Sequence, residues 1–201
     1  MHANAETAGF WSPLDALASE EFEARGAGKD VESLFKVGGY SWLRAYPHTA
    51  KLRAKTLEHC YSDIGQPTHF VRVQGIRGAD SKSLQRSWGD ALEFPSYYGQ
   101  NWGAFEECFR DLLSLESGGI GSRFGGRPGR PAERLVITVE DSILLLSNST
   151  EINLGRFIRY IDELNSEAAN IFERKCDLRV ILDPGYDVPL ERLLDVINYS
   201  S

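Results

Sequence analysis

The sequence contains no long apolar run and no basic, apolar leader. No stretch of about eighteen consecutive apolar residues occurs anywhere in its 201 residues, so no membrane-spanning helix is predicted. The first seven residues, Met1 to Thr7, carry neither the positive charge nor the apolar segment of a secretory signal. These absences lead us to expect a cytoplasmic protein that does not associate with a membrane.

Cysteine and histidine are too few and too scattered to indicate a disulfide framework or a metal site. The three cysteines, Cys60, Cys108 and Cys176, are an odd number at wide spacing, and we expect all three to be reduced. The four histidines show no metal-ligand spacing. Phosphate-loop, nucleophile-elbow and dinucleotide motifs are also missing. The sequence therefore predicts neither a metal nor a cofactor.

Basic residues are outnumbered by acidic ones. The chain has 22 lysines and arginines against 29 aspartates and glutamates, a formal net charge of −7. Because a general nucleic-acid binder needs a basic surface to neutralise phosphates, we expect no direct nucleic-acid partner. A basic protein is the more natural partner, although net charge alone identifies none.

The pattern of apolar residues from position 68 onward alternates between strand and helix periods. Strands separated by helices favour a parallel sheet with right-handed crossovers. We predict an α/β fold with a small parallel sheet of about three strands and flanking helices in two or three layers. The predicted strands span residues 69–74, 134–139 and 177–182, and the predicted helices span residues 81–92, 101–115, 152–169 and 190–197.

Two regions lie outside this pattern. Residues 1–66 have weak periodicity and are predicted to be an N-terminal extension of unknown role, preceding a domain at 67–201. Within the extension, residues 34–37 could form a short strand and residues 52–61 a helix. Residues 116–133 contain six glycines, two prolines and three arginines, which indicates a flexible loop. This loop is either an insertion or an arm that faces a partner.

The most informative segment joins an aromatic turn to an amphipathic helix. Pro95, two tyrosines and Gly99 predict a fixed turn, and Asn101 stands where a helix N-cap belongs. A rotation of 100° per residue from Trp102 places five side chains on one apolar arc, which we assign to the core. These are Phe105, Cys108, Phe109, Leu112 and Leu113. The opposite side carries Gly103, Glu107, Arg110, Asp111 and Ser114, with Glu106 at the border.

This outer ridge has two interpretations. Carboxylates on a rigid helix can accept paired hydrogen bonds from arginines and imitate the phosphates that a nuclease recognises. The ridge could instead be a solvated helix face, on which Glu106 and Arg110 form an ion pair worth about 0.2–0.5 kcal/mol. In the turn, one of Tyr97 and Tyr98 can pack while the other stays exposed at an interface.

Catalysis by the adjacent acid pairs is the third possibility. Glu106 with Glu107, and Asp162 with Glu163, are the pairs that acid/base chemistry could use. Adjacent side chains on a helix point about 100° apart, so neither pair forms a catalytic dyad by itself. We therefore predict a protein that is not an enzyme.

The turn and helix also resemble a known family. The pattern Pro95-x-Tyr97-Tyr98-Gly99-x-Asn101-x-x-Ala104, followed by Glu107, is similar to the segment that leads into the inhibitory helix of barstar and barstar-like proteins. The similarity in element order extends from Thr68 to Leu182. It implies a small α/β inhibitor that plugs the active site of a secreted guanyl-specific ribonuclease and gives immunity to the producing cell.

The resemblance also implies which residues bind the nuclease. Tyr97 takes the place of an interface tyrosine, Asn101 that of a contact at the helix start, and Glu107 that of the central carboxylate. On the third helix, Glu163 takes the place of a further glutamate. With their neighbours, the predicted partner-binding residues are Tyr97, Tyr98, Asn101, Gly103, Glu106, Glu107, Asp111 and Glu163.

Three positions depart from the barstar pattern. Gly103 stands where barstar has an interface aspartate, Glu106 stands where it has tryptophan, and Arg110 adds a positive charge to the ridge. We therefore expect a nuclease partner other than the familiar one. The alternative is a regulatory protein-binding module that keeps the fold without inhibiting a nuclease.

Overall fold

A computed structural model describes residues 3–23, 35–62, 68–115 and 132–198 of the chain. None of their helices is long and apolar enough to cross a membrane. The helices are α1 (Ala3–Glu23), α2 (Ala50–Ser62), α3 (Ser81–Ala91), α4 (Trp102–Leu113), α5 (Leu154–Ile171) and α6 (Leu190–Asn198). The strands are β1 (Leu43–Ala45), β2 (Thr68–Gln74), β3 (Arg134–Glu140) and β4 (Asp177–Leu182). Two short 3-10 helices, Gly75–Gly78 and Ser142–Leu144, follow β2 and β3.

The strands form one sheet in the order β1-β4-β3-β2, and every neighbouring pair is parallel. The predicted α/β class with a parallel sheet is thus confirmed. The sheet has one strand more than the expected number of about three, because β1 adds a fourth. Three residues buried in succession show no alternation, which is why β1 produced no strand signal in the sequence.

The elements predicted from residue 68 onward are confirmed within a few residues of their ends. In the N-terminal segment, the helix at 52–61 is confirmed as part of α2, whereas the strand at 34–37 is wrong over residues 35–37. There, Lys36 makes only an isolated antiparallel bridge to Arg44. Residues 116–131 of the Gly/Arg-rich loop and Leu34 lie outside the described residues.

Helices lie on both faces of the sheet. A small cavity of about 50 Å³ separates α2 from one face, and its lining includes Leu52, Phe70 and Ile181. The opposite face packs against α3 and α5, where Trp88, Val139 and Phe157 line a narrow interior space. The side chains of a strand alternate between faces, so β2, β3 and β4 bury residues under both helical layers.

Helix α1 covers a row of buried arginines on the α2 side of the sheet. Arg134 and Arg179 each lie over the ring of Phe10, with guanidinium carbon to ring centroid distances of 4.8 and 5.6 Å. Both also bond to Asp177, Arg134 through Nε at 2.9 Å. The described residues before position 66 therefore add a strand and core side chains to the sheet. The domain boundary near residue 66 remains a prediction.

Candidate functional site

The segment 95–101 folds as a tight turn between α3 and α4. The backbone N–H of Tyr98 donates to the carbonyl oxygen of Pro95 at 2.8 Å. The Tyr98 hydroxyl donates to the carbonyl oxygen of Gln85 at 3.1 Å, and its ring packs edge-on against Phe94. Tyr97 is 74% exposed. One tyrosine thus anchors the turn and the other faces solvent, as the sequence indicated.

Asn101 fixes the start of α4. Its backbone is extended, and its side-chain Oδ1 accepts a hydrogen bond from the N–H of Ala104 at 2.9 Å. This bond satisfies one of the donors that the first helical turn leaves without an intrahelical partner. The predicted N-cap is confirmed, and the turn is joined rigidly to the helix.

The inner face of α4 is core. All five side chains predicted on the apolar arc are buried. The ring of Phe105 packs against those of Trp88, Phe109 and Phe157. Burial, with help from the charges of Glu107 and Asp111, raises the pKa of the Cys108 thiol to about 11. Cys108 is thus a small core residue with a neutral thiol at pH 7.

The outer face of α4 carries the predicted binding residues. Gly103 and Glu107 are exposed, and Glu106 and Asp111 are half-buried. Glu106 forms an ion pair with Arg110, the pairing anticipated for a solvated helix face. Glu107 forms no ion pair with any described residue, so its carboxylate is available to a partner.

Tyr160 of α5 connects this ridge to Glu163. Its hydroxyl donates to the carbonyl oxygen of Trp102 at 3.3 Å and lies 3.4 Å from Oε2 of Glu106. Burial raises the pKa of Tyr160, Arg110 opposes that rise, and the carboxylates of Glu167 and Glu163 add to it. Glu163 is itself exposed. Tyr160 therefore holds the middle of α5 against the start of α4.

Sequence reasoning missed Tyr160 and the contribution of residues before position 66. Tyr160 lies three residues after Phe157 on the apolar stripe of α5. A tyrosine hydroxyl in such a partly buried position usually has a hydrogen-bond partner, so the presence of a tyrosine on this stripe was the signal that the sequence offered. Trp42 donates from Nε1 to Oδ1 of Asp162 at 2.6 Å. The segment around β1 therefore packs beside Glu163, and no periodicity in the sequence pointed to this contact.

The described residues show no alternative centre for metal chemistry. Among them, no group of three His, Cys, Asp or Glu side chains could hold a metal ion. Cys108 and Cys176 are free and buried. The side chain of Cys60 lies outside the described residues.

Comparison with known proteins agrees with this geometry. A search of curated proteins found no match. Residues 68–122 match the family model described as Barstar (barnase inhibitor). The matched stretch includes β2, α3, the tyrosine turn and α4, which together carry seven of the eight predicted binding residues. This part of the chain is therefore barstar-like.

Proposed function

We propose that this protein is a barstar-like ribonuclease inhibitor that blocks a nuclease active site with its tyrosine turn and acidic helix. In this role it is an immunity protein that acts in the cytoplasm of the cell producing the nuclease. The observation that carries the proposal is the exposed Glu107, which makes no ion pair with another described residue, on a helix whose opposite face is buried. The carboxylate is thus presented on a rigid support.

A rigid surface favours binding, because little conformational entropy is lost when the surface is ordered against a partner. Asn101 and the buried face hold the backbone, so Glu107 has mainly its own side-chain torsions to fix on binding. Tyr97 adds a large exposed ring with few rotatable bonds, the kind of side chain enriched at interface centres. In the proposed complex, the basic cleft of the nuclease would contact both Tyr97 and Glu107.

The chain's negative charge suits this partner. A net charge of −7 favours fast association with a basic nuclease, and that attraction is screened by salt. Inhibition requires no catalytic group on this chain, because an occupied active site excludes RNA. We therefore propose no enzymatic activity for this protein.

The proposal is tested by titrating the full chain into a panel of guanyl-specific ribonucleases and following RNA cleavage. We expect stoichiometric inhibition of at least one enzyme, with affinity that falls as salt rises. Glu107→Ala should weaken that complex on the order of 10²-fold, because it leaves a positive charge of the nuclease buried in the interface without a partner. This magnitude comes from characterised interfaces, that of barstar with barnase among them.

Glu191→Ala is the matched control. Glu191 is also exposed in a helix, but it lies in α6, outside the proposed surface. Glu191→Ala removes the same charge as Glu107→Ala but lies away from the α4 ridge, so it should change the affinity for the nuclease only slightly. Equal weakening by the two substitutions would show that general charge, rather than the α4 ridge, governs binding.

The Glu106–Arg110 ion pair supports a second candidate, a regulatory module that binds a protein other than a nuclease. The pair engages one of the ridge carboxylates, and Gly103 removes another that barstar proteins have. The same titration separates the two proposals. Binding of a nuclease without loss of cleavage, or capture of a non-nuclease partner that Glu107→Ala releases, would favour the regulatory role.

A further inference from the structure

An open groove runs between the edge strand β2 and helix α3. Its volume is about 690 Å³, within the range of small-molecule sites. The lining combines the end of β2 and the following turn with the outer side of α3. It lies at the carboxyl end of parallel strands, where α/β proteins commonly bind ligands. The proposed inhibitory role makes no use of it.

Three arginines from three different elements line this groove. Arg72 comes from β2, Arg77 from the 3-10 helix and Arg86 from α3. Arg77 and Arg86 are exposed, and neither makes an ion pair with another described residue. Nε of Arg86 lies 3.5 Å from Oε1 of Gln100, at the border of the tyrosine turn.

The acidic residues of the groove do not cancel this charge. Glu140 is bound by two arginines at once, accepting from Arg72 Nε at 3.1 Å and from Arg53 at 2.7 Å. Asp90 is the other acid of the lining. The lining itself has three arginines and two carboxylates, so the groove is positive within a chain whose overall charge is negative.

The lining residues favour phosphate as the ligand group. A guanidinium binds phosphate oxygens through two parallel hydrogen bonds, and every cation in the groove is an arginine. The hydroxyls of Ser83 and Ser87 on the same wall donate to the carbonyl oxygens of Asp80 and Leu84, so the arginines are the donors that the groove offers to a phosphate. None of the described lining residues is aromatic, so the groove offers no platform on which bases could stack.

We infer that this groove is a binding site for an oligophosphate, with Arg77 and Arg86 as its principal phosphate contacts. The phosphate groups could belong to a free oligophosphate or to a nucleic-acid backbone. The absence of aromatic lining residues favours the first. The inference is independent of the proposed nuclease partner.

The test is calorimetric titration of the full chain with sodium tripolyphosphate at low ionic strength. We expect one saturable site in the wild type. The double variant Arg77→Ala/Arg86→Ala should bind roughly tenfold more weakly or worse, because charge-assisted hydrogen bonds are lost. The Arg77→Lys/Arg86→Lys variant keeps the charge and should fall between the two.

Arg192→Ala is the control, since Arg192 is an exposed arginine of α6 outside the groove. It should bind tripolyphosphate as the wild type does. A parallel titration with a single-stranded RNA oligomer distinguishes the ligand source. No saturable tripolyphosphate binding, equal weakening by Arg192→Ala, or binding of RNA but not tripolyphosphate would each overturn the inference.

Discussion

The inner and outer faces of α4 differ in what their side chains contact. On the inner face, six aromatic rings contact Phe105, and five side chains of the helix are buried. The outer face has an exposed glycine, an exposed glutamate and an ion pair between Glu106 and Arg110. One helix therefore serves both as core and as a candidate interface.

This difference shows how the outer side of a helix can change while the fold persists. A buried side chain is held by many neighbours, so a change of volume costs stability directly. An exposed side chain has few neighbours, and its replacement mainly alters what the protein can bind. Gly103, Glu106 and Arg110 all lie on the outer side, which explains how they depart from the barstar pattern without disturbing the core.

The largest effect should come from the inner face. Phe105→Ala should lower the free energy of unfolding by about 3–5 kcal/mol, because it leaves a cavity beneath α4. Urea denaturation followed by circular dichroism measures this loss. Tyr97→Ala is the control, since Tyr97 is mostly exposed and its truncation should have little effect. Comparable losses for the two variants would mean that the faces do not differ as described.

An intermediate effect is expected at the junction of turn and helix. Asn101→Ala should lower the free energy of unfolding by about 1 kcal/mol, because the N–H of Ala104 loses its acceptor. Asn101→Asp should restore most of this stability, since aspartate is an equally good cap. Thermal unfolding of both variants checks the prediction. It fails if the aspartate variant is as unstable as the alanine variant.

The smallest effect should come from the outer face. Arg110→Ala should lower the free energy of unfolding by only about 0.5 kcal/mol, because its partly exposed ion pairs with Glu106 and Glu167 each contribute a few tenths of a kcal/mol. Denaturation at low and high salt measures it, and the loss should shrink as salt screens the wild-type pair. Should the loss instead approach that of Phe105→Ala, Arg110 would belong to the core rather than to the exposed ridge.

Much of the fold could be predicted from periodicity. Strand β2 and helices α3 to α5 have regular apolar spacing, and their predicted positions agree with the structure within a few residues. Strand β1 could not be predicted, because three consecutive buried residues carry no period. The row of buried arginines under α1 could not be predicted either. Arg134 and Arg179 are far apart in the sequence and become neighbours only because β3 and β4 pair in the sheet.

The candidate site was predictable to a similar degree. Helical rotation alone separated the inner and outer sides of α4, and residue type alone identified Asn101 as the cap. Tyr160 could not be connected to Glu106, because their contact depends on how α5 crosses α4. The roles of the eight predicted binding residues stay predictions until a partner is tested.

The sequence by itself determined the α/β class, the buried face of α4 and the capped tyrosine turn, because each depends on residues close together in the chain. Only the tertiary structure decided the fourth strand, the contact of Trp42 with Asp162, and the groove containing Arg72, Arg77 and Arg86. These features join residues from separate elements. Their proximity is set by how the helices pack on the sheet, which no local pattern of residues records.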